Sequence, residues 1–225
     1  MAAITSSMMP SPKGRRLLTC YHEGGHALSR WYFGFHTERV FVQTIEDLSA
    51  GKWKQDGRGR RTYAEGCVVG HDICEIQPMP TMRAHGSAVV RDHALRRAAA
   101  LIHDFAGACA EAHFREIPID DCLEGGGEGD TQHMNLLLDA WGFHGGNRWA
   151  LLDAARDQAE ALVQSPMGST AIKAIADKLM ERGHLSGDQV AALCRKAYGG
   201  RESRYGAWIN HGPPTLEQIR VGFIP

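Results

Sequence analysis

The chain has 225 residues, a formal net charge of -1, and 43% hydrophobic against 23% charged residues. This length can bury a substantial core in one domain, the composition is that of an ordinary globular protein, and the near-neutral charge excludes a global field that draws nucleic acid or an anionic membrane. No stretch approaches the ~20 apolar residues of a transmembrane helix, and MAAITSSMMPSPKGRR has no apolar run of secretory length before its basic residues, so a soluble, cytoplasmic protein without a membrane segment is expected.

Residues 1–14 carry Ser, Pro and Gly with little periodicity and read as a flexible lead-in. A helix is predicted from Arg16 to Phe33, stopped near Gly34, and it contains His22-Glu23-Gly24-Gly25-His26. Positions four apart on a helix lie about 40° apart in angle and one turn apart along the axis, so His22 and His26 project from one face and can hold one metal ion. Glu23 sits beside the first histidine, in reach of a water on that ion but not as a ligand, which is the place of a general base. Leu17, Tyr21, Leu28 and Trp31 recur on another face, which is expected to pack inward. Gly24 and Gly25 inside the helix cost about 1 kcal/mol each against alanine, and such broken rules cluster at functional or closely packed places.

Arg39 to Ile45 (RVFVQTI) reads as a strand, and Gly66 to Gly70 as a second one paired with it. Between them Lys52, Lys54, Arg58, Arg60 and Arg61 make a basic run in which only Trp53 and Tyr63 are interleaved; this reads as a solvated loop, not a nucleic-acid patch. The six cysteines, at 20, 67, 74, 109, 122 and 194, include no CxxC pair and fit reduced thiols; Cys67, His71 and Cys74 lack a partner group that would complete a second zinc site.

A helix is expected from about Ala88 to Phe114, its FAGACAEA segment small enough for the first helix to approach closely. Asp120 to Asp130 (DDCLEGGGEGD) is a loop without the lysine of a phosphate cradle, and a helix restarts at Thr131 to Trp141, where Asp130 could also serve as an N-cap. Asn147 to Val163 and Thr170 to Arg182 are amphipathic helices. Gly183 to Asp188 is a turn whose Ser186 can cap a last helix, Asp188 to Ala197, and the Gly/Pro-rich residues after Tyr198 read as a tail that is loose or orders on contact.

A hydrolytic zinc site takes three protein ligands and keeps its fourth position for water, so the two histidines need one more group. Asp130, Glu111, His133 and Asp139 are candidates, and spacing does not choose among them.

YHEGGHAL resembles the YHEAGHAL of the proteolytic domain of FtsH-type ATP-dependent zinc metalloproteases, with Gly24 where that family has alanine. FAGACAEAHF is similar to the family's LGGRAAEELVF, GGGEGDTQHM to its TGASNDLQRA, and GHLSGDQVAAL to a run such as KETLSGEEV, so the resemblance spans about residues 16–197. It implies a mainly α fold with a small β-sheet, a zinc peptidase domain over 15–198 with a tail at 199–225, and Zn2+ held by His22, His26 and Asp130. It makes Glu111 a group that orients a histidine. The implied activity is hydrolysis of unfolded polypeptide through a zinc-bound water with Glu23 as base. Substrate is expected to add in extended form to the strand at Val40–Gln43, and His133, one turn from Asp130, is a candidate for stabilising the oxyanion. The AAA+ module and membrane segment of FtsH are not found in this sequence, so a separate ATPase partner is one expectation and a hexamer of copies another. The alternative is a catalytically silent, metal-stabilised module that binds a protein partner.

Overall fold

The computed structural model describes residues 11–56, 59–62, 64–74, 76, 78, 80–209 and 212–224. The first ten residues of the expected lead-in, and Arg58 and Tyr63 of the basic run, lie outside them. In chain order the elements are α1 (Pro12–Tyr32), β1 (Arg39–Val42), α2 (Ile45–Ser49), β2 (Gly66–Val69), α3 (Met82–Arg115), α4 (Ile119–Leu123), α5 (Glu128–Ala140), α6 (Gly145–Gln164), α7 (Pro166–Arg182), β3 (His184–Ser186), α8 (Gly187–Ala197) and α9 (Leu216–Arg220). The fold is mainly α with one small antiparallel sheet, as expected. Among the described residues no helix is long and apolar enough to cross a membrane.

α1 begins four residues earlier than expected because Ser11 accepts from the Gly14 N–H at 3.2 Å and Pro12 sits at the first helical position, where its missing N–H costs nothing. The helix is central: α3 and α7 lie along it, and their apolar faces close a core that includes Leu28, Leu101, Ile102, Leu162, Ile175 and Leu179. Each such side chain contributes about 1.5–3 kcal/mol by leaving water. α3 has a break at Gly86 (φ 79°), so its continuous part starts near the expected Ala88.

The glycine pair of α1 has a packing cause. A Cβ on Gly25 would stand 2.1 Å from the Ala106 carbonyl oxygen and 2.8 Å from the Ala110 Cβ, so α1 and α3 touch backbone to side-chain stub. On Gly24 it would meet Ile172 Cγ2 at 3.2 Å, a contact a small shift relieves. Gly25→Ala is therefore expected to destabilise by about 1–3 kcal/mol or more, while Gly24→Ala, where crowding offsets a gain in helix propensity, stays within about 1 kcal/mol of wild type. Urea denaturation of the two variants checks this; equal stability would contradict the close approach.

The sheet has the order β2-β1-β3, with Arg39 opposite Val69 on one side and Ser186 on the other. This corrects two expectations. Gly183 to Asp188 is not only a turn, since His184–Ser186 pairs with β1 while Ser186 still caps α8 in a capping box with Gln189. Substrate cannot add to Val40–Gln43, because β1 is the central strand and both its edges are filled. β1 also ends at Val42 rather than Ile45: the Gln43 side chain turns in to hydrogen-bond the Thr62 and Ala64 carbonyls, and Thr44 starts α2 with a capping box.

The C-terminal stretch lies against the end of α1. Trp208 and Ile219 are buried, the Trp208 ring lies 5.2 Å from Phe33 and 5.5 Å from Tyr32, and the Tyr32 hydroxyl donates to the Phe223 carbonyl at 2.8 Å. Its glycines and prolines hid a short helix, α9, capped by Thr215 and Gln218.

Candidate metal centre

Three elements build the site. α1 supplies His22, Glu23 and His26, all buried; α3 passes beneath them with Gly107; α5 brings Asp130 from 104 positions further along the chain than His26. Of the four candidates for a third group, only Asp130 reaches both rings, with Oδ2 3.1 Å from His22 Nε2 and 3.2 Å from His26 Nε2. Asp130 is not an N-cap: α5 starts at Glu128 with Gly127 as cap residue, so the aspartate projects from the first turn. Glu111 lies behind His22, 3.7 Å from its Nδ1, and is held by Arg115 at 2.7 Å. Asp139 pairs with Arg148 on the outer side of α5, and His133 donates or accepts at Asp104, 2.8 Å away.

The two Nε2 atoms lie 3.0 Å apart, so His22, His26 and Asp130 form a near-equilateral triangle of ligand atoms. Ligands at ~2.0–2.1 Å around a tetrahedral ion are about 3.3 Å from one another, so the spacing suits a small divalent cation. The chemistry agrees. His26 Nδ1 lies 2.7 Å from the His103 carbonyl, which can only accept, so Nδ1 carries the proton and Nε2 turns a bare lone pair into the triangle. Two facing imidazole nitrogens and a carboxylate oxygen cannot rest at this distance without a proton or a cation between them. A Cβ on Gly107 would stand 2.4 Å from His26 Nε2 and 2.6 Å from His22 Nε2, close to where an ion would sit. The glycine leaves a cradle that any side chain would fill.

The electrostatics favour positive charge in this cradle. Burial opposes charge on His22, yet the Asp130 and Glu111 carboxylates raise its pKa to about 10. His26 is shifted the same way, burial again being outweighed by Asp130. Against its own burial, Asp130 is held well below the usual carboxylate range by His26 and His22. Glu23 goes the other way: burial raises its pKa, and the two histidines only partly offset this. A carboxylate held nearer neutrality is a better proton acceptor.

Glu23 is not one of the triangle. Its carboxylate is pressed against β2, where a Cβ on Gly66 would meet Oε1 at 2.4 Å. A cavity of about 530 Å³ opens along this side, with His22 and Glu23 at its floor, Ala64, Glu65 and Gly66 on one wall and Gly125 and Gly126 on the other. The free edge at the site is thus that of β2, not of β1.

Three contributors were not legible in sequence. Gly107 lay inside a segment read only as small, and nothing marked the His103 carbonyl or Gly66. His103 itself is buried beside His26, ring centroids 4.6 Å apart, with Nδ1 2.9 Å from the Ser29 hydroxyl, and burial holds its pKa well below normal.

Asp104 gives a pH test of this interior. Burial raises its pKa to about 6, though the His133 hydrogen bond lowers it. The folded protein therefore keeps a proton on Asp104 that the unfolded chain, with a value of 3.8, has released, and stability from this group is lost as pH rises from 3.8 to about 6. The pKa of His133 is raised by Asp104, so its share is lost at still higher pH. Asp104→Asn is expected to flatten the fall of the urea midpoint between pH 4 and 6 relative to wild type; parallel profiles would contradict the assignment.

Comparison of the sequence with protein-family models and with curated proteins gave no match, so the reading of this centre rests on its own geometry.

Proposed function

We propose that this chain is a zinc-dependent metalloendopeptidase that cleaves peptide bonds of unfolded polypeptides. The observation that carries the proposal is the triangle of two Nε2 atoms and one carboxylate oxygen over Gly107, with a buried carboxylate, Glu23, beside it and outside it. His22, His26 and Asp130 would hold the ion. Zinc there lowers the pKa of a water to about 7 and polarises a carbonyl.

The protein's own groups do the rest. Glu23 takes a proton from the attacking water and returns it to the leaving amine. The His103 carbonyl behind the His26 ring fixes its orientation, and Glu111, 3.7 Å behind His22 Nδ1, attracts that ring without hydrogen-bonding it. The outer edge of β2, which begins at Gly66 on the cavity wall, would offer backbone groups to an extended substrate, which would read main chain more than side chains and keep sequence selectivity weak.

A silent, metal-stabilised module is the rival. Such a site closes its fourth position with protein, whereas three groups make up this one among the described residues. A base placed beside the ion serves no structural purpose. The test is casein cleavage and zinc content measured on wild type and Glu23→Gln side by side.

A further inference from the structure

The cavity of about 530 Å³ beside the metal centre has one face of α1 as its floor, on which Arg15, Leu18, Thr19 and His22 follow at helical spacing, and Glu65 and Gly66 in a wall. Beyond His22, Glu23 and Glu111, which belong to the centre, Arg15 and Glu65 are the charged groups of its lining among the described residues. They neutralise each other across the cleft. Arg15 Nη2 lies 2.5 Å from Glu65 Oε1, and Arg15 Nε donates to Glu65 Oε2 at 3.0 Å, so guanidinium and carboxylate meet fork to fork although 50 positions separate them. The Glu65 backbone is fixed as well, its carbonyl accepting from the Gln43 N–H at 2.7 Å. The Thr19 hydroxyl donates within its own helix, to the Arg15 carbonyl at 3.2 Å. The remainder of the lining is Leu18, Ala64 and glycine backbone.

Arg15 precedes His22 by two helical turns, about 10 Å along the axis. An extended chain rises about 3.3 Å per residue, so a peptide with its scissile bond at the metal centre passes the pair within about three residues. A charged side chain there loses hydration and finds both charges already matched, whereas an apolar one loses nothing and gains Leu18. On the reading of this cleft as a peptide site, we propose that the Arg15–Glu65 pair determines specificity: it selects an apolar side chain at one of the three substrate positions nearest the scissile bond on that side and disfavours acidic and basic ones.

Fluorescein-labelled peptides carrying leucine, lysine or glutamate at each of those positions in turn test this, with binding followed by anisotropy on the full-length Glu23→Gln chain with zinc. At one position leucine is expected to bind roughly 3- to 10-fold more tightly than either charged residue, a range between an exposed ion pair and a charged hydrogen bond. Adding Glu65→Gln frees the guanidinium and should move the glutamate-to-lysine ratio by roughly that factor towards glutamate; Arg15→Met frees the carboxylate and should move it as far towards lysine. Arg15→Glu combined with Glu65→Arg rebuilds the pair with reversed polarity and should restore the preference for leucine. Arg15 is exposed and Glu65 half-buried, so none of these substitutions disturbs the core. Ratios unchanged in both single variants, shifts in the same direction, or no saturable binding of any peptide would each overturn the proposal. Wild-type cleavage of casein separates it from the proposed hydrolysis: opposite shifts in binding without casein cleavage would uphold the pair and sink the peptidase, and casein cleavage with unshifted ratios would do the reverse.

Discussion

Replacing Glu23 by glutamine is expected to leave one zinc per chain and to lower kcat on casein by at least ~100-fold, the scale of a lost general base. The side chains are nearly isosteric, and Glu23 is not part of the His22–His26–Asp130 triangle, so metal content should not change. What is removed is the carboxylate that burial keeps ready to accept a proton. Because a Cβ on Gly66 would already collide with the Glu23 carboxylate, there is no space on the β2 side and the glutamine amide is held to the same slot. The variant therefore separates chemistry from structure: cleavage at the wild-type rate would remove Glu23 from the mechanism, and loss of zinc together with activity would show that it serves as a ligand.

Gly107→Ala is the second large effect, and it changes no ligand. The new methyl would stand 2.4 and 2.6 Å from the two Nε2 atoms, distances close to the ~2.0–2.1 Å an ion itself requires, so methyl and metal compete for one place. Zinc affinity is expected to fall at least ~100-fold, as strongly as when supporting groups around a metal are lost. Casein cleavage should fall with it. The gain of about 1 kcal/mol from replacing glycine by alanine in a helix interior offsets part of the cost of moving the two imidazoles off the methyl, so the metal-free variant should remain folded by circular dichroism. Zinc binding at wild-type strength would show that the ion does not lie above α3.

The expectations that held were those set by local periodicity. The 3.6-residue pattern of α1 placed two histidines on one face, and the alternation in RVFV placed a strand. Both depend on neighbours within a few residues. What was misread depends on distant partners. β3 is three residues long and becomes a strand only because β1, some 140 positions earlier, lies alongside, and that pairing turned the expected docking strand into the sheet's middle. Asp130 looked as much like a cap as a ligand, since both roles ask for a short carboxylate near a helix start; its place in the first turn, not before it, separates them. Gly107 could be read as small but not as the floor of a cradle, because its two neighbours belong to another helix. The triangle is thus legible as a set of residue types, whereas its closeness is a property of how α1, α3 and α5 cross.

X-ray absorption at the zinc edge of the zinc-loaded protein measures the central claim most directly. Two imidazole nitrogens, one carboxylate oxygen and one further light atom exchangeable with solvent are expected, all within about 2.0–2.2 Å and with no sulfur. A shell filled by four protein groups, any thiolate among them, or a spectrum that Asp130→Ala leaves unchanged would contradict an open two-histidine, one-aspartate centre.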